Sequence, residues 1–134
     1  VLVDVGALVP EQAAEVGLTL ARVVRESGRR VALFGLTGLS RSDAPPEVEG
    51  EPGALASEPD DIANRRILGW LQAGDVLALR RDLPDLAREA GIEGEGAVLA
   101  ALAAAAPGPA EILGYGAIFG AGAAVTDRQT EEAA

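Results

Sequence analysis

The residues best placed to do chemistry lie in one short stretch, Gly35-Leu-Thr-Gly-Leu-Ser-Arg41, which directly follows the apolar run Val31-Ala-Leu-Phe34. Ligands in open α/β sheets bind beyond the carboxyl ends of strands, so Thr37, Gly38, Ser40 and Arg41 are where a pocket is sought first. The chemistry open to them is narrow. The 134 residues include no histidine, cysteine, lysine or methionine, and all eleven basic residues are arginine. Histidine is the usual proton shuttle near neutral pH and the commonest metal ligand, and cysteine and lysine are the usual nucleophiles after the hydroxyls. Catalysis within this chain would rest on carboxylates, hydroxyls, the single tyrosine Tyr115 and backbone amides.

The turn is not a phosphate-binding P-loop, because the lysine is missing and the glycine spacing is wrong. Nor is it a nucleophile elbow, because the glycine–x–serine–x–glycine order is absent and no histidine could activate Ser40. Residues 1–8 fail as the nucleophile strand of a haloacid-dehalogenase phosphatase, since Gly6 and Leu8 stand where a second aspartate and a threonine are needed. Asp4 reads instead as a strand-end or capping carboxylate. Glu47, Glu49, Glu51, Glu58, Asp60 and Asp61 are the types that hold a hard cation, but they lack EF-hand spacing and read as a solvated acidic loop. Glu89, Glu93 and Glu95 straddle Gly91 and Gly94 between two helical segments. Arg65-Arg66 and Arg80-Arg81 read as exposed partners of nearby acids.

The formal net charge of −10 opposes binding to phosphate backbones and to anionic membrane surfaces, so neither nucleic acid nor membrane is an expected partner. The longest apolar run, residues 97–106, is about half of the roughly 20 residues that span a bilayer, and reads as a buried helix. The absence of cysteine and of a visible signal peptide points to the cytoplasm, and the Arg/Ala/Gly/Pro-rich usage to a GC-rich bacterial genome. The chain starts at Val1, inside an apparent strand, without a methionine; the expectation is that a segment precedes it in the parent protein.

The elements that must position these residues can be read from spacing. Residues 1–5 and 30–36 read as core strands, with a helix between them from Pro10 to a C-cap at Gly28; together they predict a right-handed βαβ unit. Residues 37–56 form a long irregular stretch with three prolines, three glycines and three glutamates. Ser57-Glu-Pro-Asp60 has the capping-box pattern and predicts a helix to about Ala73 that buries Ile62, Ile67, Leu68 and Leu71. A short helix to about Arg81, a separate helical piece from Pro84 to Ala90, and an alanine-rich helix over 94–106 should follow. Residues 111–116 and 117–125 read as a closing strand pair, or as a strand and its glycine-rich extension, carrying Tyr115 and Phe119. Residues 1–128 are expected to be a single α/β domain, or the C-terminal part of a longer one, and 129–134 a polar tail.

In its order of segments, the chain resembles the C-terminal half of class III extradiol ring-cleavage dioxygenases and the related Memo-like proteins, over about residues 1–125. The resemblance is carried by Gly17-Leu-Thr-Leu-Ala-Arg22, the strand Val31-Ala-Leu-Phe34 and the turn Thr37-Gly-Leu-Ser40. It continues through Asp61-Ile-Ala-Asn-Arg-Arg-Ile-Leu68, Ala73-Gly-Asp-Val-Leu-Ala-Leu79, Arg88-Glu-Ala-Gly91, Leu113-Gly-Tyr115 and Phe119-Gly-Ala-Gly122. It implies an α/β fold with a mixed, mostly parallel sheet and helices on both faces, and it adds Tyr115 to the pocket candidates Thr37, Gly38, Ser40 and Arg41. Family members hold Fe(II) with two histidines and a glutamate. The histidines belong to an N-terminal half that these residues do not include. The family's catalytic histidine falls on Arg41, and the best register puts Gly96 at the glutamate ligand, leaving Glu93 and Glu95 as weak metal candidates. Arginine stays protonated at any working pH and cannot serve as an acid–base.

The reading that follows is a non-catalytic dioxygenase-like domain or accessory subunit, associated with a catalytic or an identical subunit and able to meet an aromatic small molecule. No cofactor is expected for this chain alone, and Fe(II) only if histidines lie upstream. Two alternatives stand beside it: the C-terminal part of an active Fe(II)-dependent extradiol dioxygenase acting on catechol-type substrates, and a small α/β binding domain unrelated to dioxygenases. The alanine-rich helix is expected to offer apolar surface to a missing half or a partner.

Overall fold

In a computed structural model, residues 2–40, 57–118 and 121–129 are described. Arg41, Glu47, Glu49, Glu51 and Phe119 therefore lie outside the described residues, as do the side chain of Glu93 and the tail from residue 130.

Local signals set the helix ends. Helix α1 (Pro10–Ser27) has proline in its first turn, where the missing N–H removes no helical bond, and closes at Gly28 with φ +62°. Helix α2 (Glu58–Ala73) is capped by Ser57, whose Oγ accepts from the Asp60 amide at 3.3 Å and donates to Asp60 Oδ2 at 2.7 Å. It closes at Gly74, again left-handed at φ +66°. Asp75 caps helix α3 (Val76–Glu89) by accepting from the Ala78 amide at 2.9 Å. Helix α4 (Glu93–Ala105) carries the long alanine run.

Two of these helices depart from expectation. Helix α3 runs unbroken through Pro84, where the sequence suggests two pieces. Pro84 removes one backbone bond, but Leu83, Pro84 and Ala87 are all buried, and that packing holds the helix together. In α2, Ile67, Leu68 and Leu71 are buried as expected, whereas Ile62 is 60% exposed. At about 100° per residue Ile62 falls on the opposite side of the helix, and the inward position is taken by Asn64.

Helix α4 is central. It packs against α1 and α3, and Ala97, Ala100, Ala101, Ala103 and Ala104 are all buried. Its small side chains let the neighbours come very close. A Cβ at Gly17 of α1 would run into the Ala101 carbonyl, and one at Gly96 would meet the Ala87 Cβ at 2.9 Å. The apolar surface expected to await a partner on this helix is thus covered within the chain. The larger core lies between α2, α3 and α4, built around Ile67, Leu79, Leu83 and Ile92.

Strands β1 (Glu111–Ile118) and β2 (Ala121–Asp127) form an antiparallel pair, with Glu111 opposite Asp127 and a bulge between Ile112 and Gly114. This is the only sheet among the described residues, so the chain is a mixed helix-and-strand structure and a mostly parallel sheet is not shown. The expected βαβ unit is not formed there: residues 2–5 and 29–36 have no ladder hydrogen bonds. Among the described residues no strand lies beside either segment to complete a ladder. The segment 31–36 lies on α4, where a Cβ at Gly35 would strike the Leu102 side chain, while Phe34 and Leu36 are 91% and 92% exposed.

Candidate functional site

The turn after the 31–36 segment is anchored at both ends. At its start, Thr37 Oγ1 donates to the Glu95 carbonyl in the first turn of α4 at 3.4 Å and to the Gly38 carbonyl at 3.3 Å. At its end, the Leu39 amide donates to the Gly122 carbonyl and the Gly122 amide to the Ser40 carbonyl, both at 3.1 Å, which attaches the turn to β2. Thr37 and Gly38 are exposed between these anchors, and Leu39 and Ser40 are buried.

Ser40 is completely buried and meets Asn64 of α2, also completely buried. The Ser40 amide donates to Asn64 Oδ1 at 2.8 Å, and Asn64 Nδ2 donates to Ser40 Oγ at 2.7 Å. The second proton of Nδ2 points to the Tyr115 hydroxyl at 3.3 Å, and that hydroxyl donates to Asp61 Oδ1 at 2.6 Å. Arg65, one turn along α2, closes the chain: its Nε lies 2.7 Å from Asp61 Oδ2 and its guanidinium 5.2 Å from the centre of the Tyr115 ring. The result is a continuous polar line from the buried turn to the surface.

The charges along this line follow from their neighbours. Asp61 is held below its ordinary pKa, chiefly by the Arg65 hydrogen bond and then by the Tyr115 hydroxyl. Tyr115 is pushed above its ordinary value, first by burial and then by the Asp61 carboxylate, with the bond from Asn64 pulling the other way. A group whose pKa is raised on folding favours the folded state below its unfolded value, and that contribution is lost as pH rises through the folded value. The stability gap between the native chain and a Tyr115→Phe variant should therefore hold steady between neutral pH and pH 9 and close above about pH 10, the ordinary tyrosine range. At the acid end the sign reverses. Asp61 stabilises the fold above the ordinary carboxylate range, so losing its Tyr115 donor should start acid unfolding at a higher pH. Thermal melts of both proteins across pH test both ends; a gap unchanged at pH 11 would show that the phenol is not held neutral.

The structure brings together most of the described site candidates, but not in one open pocket. Thr37 and Gly38 sit against Glu95; a Cβ at Gly38 would lie 3.9 Å from the Glu95 Cγ. Ser40 and Tyr115 are joined through Asn64 and engaged with internal partners. Glu93 opens α4 two residues before Glu95. An open depression of about 530 Å³ is lined by Gly6, Leu8, Pro10, Pro84, Arg88 and Gly94, and none of Thr37, Gly38, Ser40 or Tyr115 lines it. Asp4 caps the turn beside this depression, its Oδ1 accepting from the Gly6 amide at 3.0 Å. Among the described residues no group of three or more histidine, cysteine, aspartate or glutamate side chains converges as a metal site.

Asn64 is the residue that the sequence reading missed. A signal was present: 64, 67, 68 and 71 follow the i, i+3, i+4, i+7 spacing of a buried helix face, which puts an amide at its centre. Three of the four arginines expected to pair with acids do so, and Arg66 lies over an aromatic ring instead. Arg65 pairs with Asp61, Arg80 with Glu15, Arg81 with Asp82, and Arg66 stacks over Trp70, all on exposed faces where each pairing contributes little.

No family model matches the chain. A 2-aminophenol 1,6-dioxygenase alpha subunit from Pseudomonas sp is 32% identical over 126 residues, covering 90% of this chain and 46% of that subunit. The chain thus spans about half the length of the relative it matches. No helix among the described residues is long and apolar enough to cross a membrane. The similarity relates the chain, distantly, to a subunit of an aromatic ring-cleavage dioxygenase.

Proposed function

We propose that this chain is a non-catalytic, class III extradiol-dioxygenase-like domain that works beside a catalytic subunit in the oxidative cleavage of an aromatic ring. The observation that carries the reading is the state of the turn. Its buried hydroxyl, Ser40, and the nearby phenol, Tyr115, are engaged in hydrogen bonds to Asn64 and Asp61, and the chain contains no imidazole to act with them. The arginine that follows Ser40 carries a permanent charge, suited to hold an anionic ring substituent or a partner's carboxylate and unsuited to proton transfer. The similarity to a protein named as an alpha subunit supports an assembly with other subunits. A mostly parallel sheet, completed by strands that pair with the open 31–36 segment, belongs to the same proposal.

The half-length match favours one competing reading, that these residues belong to a longer Fe(II)-dependent dioxygenase whose imidazole ligands lie elsewhere. One assay separates the two. The purified chain is given Fe(II), oxygen and either catechol or 2-aminophenol, and oxygen uptake and ring-cleavage absorbance are followed. The proposal predicts no uptake by the chain alone, and a mixed oligomer with ring-cleavage activity when it is co-expressed with a catalytic subunit of an aromatic ring-cleavage dioxygenase. Turnover by the chain alone would overturn it. Two metal-binding histidines in the same polypeptide, with turnover by that longer protein, would favour the competing reading.

A further inference from the structure

We propose that Asn64 is the positioning residue of this site, setting the end of the 37–40 turn, and that Gly122 is a glycine because the Asn64 amide occupies the space a side chain would need. The inference rests on the reading of the turn as the face presented to a ligand or a partner subunit.

Three observations carry it. The first is the orientation of the amide. Oδ1 accepts from the Ser40 backbone, and both Nδ2 protons are used, one by Ser40 Oγ and one by the Tyr115 hydroxyl. Turning the amide over would set an NH₂ against the Ser40 N–H, two donors facing each other, so only one orientation satisfies the site. The second is the buried position: Asn64 and Ser40 are each fully enclosed, so a lost bond cannot be replaced by solvent without opening the structure. The third is Gly122. A Cβ there would collide with Asn64 Nδ2 and lie 3.0 Å from its Cγ, while the Gly122 backbone makes the two bonds that dock Leu39 and Ser40 onto β2. One glycine thus serves both the amide and the turn.

The side-chain hydrogen bonds of Asn64 go to Ser40 and Tyr115 rather than to the exposed Thr37 and Gly38. Asn64 acts through Ser40, whose backbone fixes where the chain leaves the core, while the Thr37–Glu95 bond fixes where it enters. The Tyr115 hydroxyl is the only described link from this arrangement to the Asp61–Arg65 pair on the surface. Because Tyr115 is the single tyrosine, its ionisation reports the arrangement directly.

The test uses the full 134-residue chain with Asn64→Leu, Asn64→Asp and Gly122→Ala, read by amide hydrogen exchange and by tyrosinate absorbance at 295 nm. Amide protection at Leu39 and Ser40 should fall about tenfold or more in each variant, with protection across α1 and the middle of α4 unchanged. The Tyr115 midpoint should rise in Asn64→Leu, which loses a donor to the phenol, and rise further in Asn64→Asp, which adds a second carboxylate beside it. Gly122→Ala keeps the asparagine but pushes its amide out of position, so it decides the matter if the Asn64 variants do not fold. A uniform fall in protection across all helices, with Tyr115 titrating as in the native chain, would reduce Asn64 to general core packing and overturn the proposal. Co-purification with the catalytic subunit is a separate readout. If the exchange and titration changes occur while assembly and activity are untouched, the positioning role stands and the functional reading of the turn fails.

Discussion

Replacing Gly17 with leucine should separate α1 from α4 and cost the protein most of its cooperative unfolding transition. The argument is a comparison of magnitudes. In an open helix, glycine to alanine gains about 1 kcal/mol because the backbone loses less freedom on folding. At Gly17 the first added carbon would already run into the Ala101 carbonyl oxygen and sit 2.9 Å from the Ala104 Cβ. A backbone carbonyl within a helix cannot turn aside, so the whole helix must move. Overpacking of this kind costs about 1–3 kcal/mol for small additions, which outweighs the propensity gain for alanine, and leucine adds three more carbons. Gly69 in α2 supplies the control. A Cβ there meets nothing within 4 Å, so Gly69→Ala should stabilise by about 0.5–1 kcal/mol. Urea melts followed by circular dichroism decide the matter; a wild-type midpoint for Gly17→Leu would mean that the two helices are not in this contact.

Leu83→Ala is the second large effect, and of the opposite kind. Leu83 is fully buried on α3, with its Cγ 4.0 Å from where a Gly96 side chain would begin on α4. Truncation removes the packed methyls and leaves a cavity between helices already close together, where little collapse is available. The expected cost is about 2–5 kcal/mol, a large share of the roughly 5–15 kcal/mol that stabilises a typical domain. The midpoint of thermal unfolding should fall on the order of 10 °C. Leu77, on the same helix but 79% exposed, should tolerate alanine almost unchanged. Equal losses at the two positions would contradict the helix phase described here.

How much of the fold was legible depended on the range of the interaction. Pro10 and Gly28 bound α1, Ser57 and Gly74 bound α2, and Asp75 starts α3, because a cap is made within three residues of the atoms it satisfies. Pro84 misleads for the complementary reason: its local preference is real, and packing of Leu83 and Ala87 against α4 outweighs it. The site shows the same division. The turn was located from its strand-end position and small residues, yet Ser40 is held by a residue 24 positions later in the chain, and that residue binds a tyrosine a further 51 positions on.

The sequence by itself determined the ends of α1 and α2, the start of α3, strand structure near the C-terminal end, the acidic charge balance and the absence of imidazole and thiol side chains. These depend on residue types and on neighbours within a turn or two. Only the tertiary structure decided that the alanine-rich helix is the centre of the described residues, that residues 31–36 rest on it with no strand partner among them, and that Asn64 ties Ser40 to Tyr115. Those outcomes require segments distant in the chain to meet. An amide satisfied by three particular groups, or a glycine pressed on a carbonyl, exists only once they have.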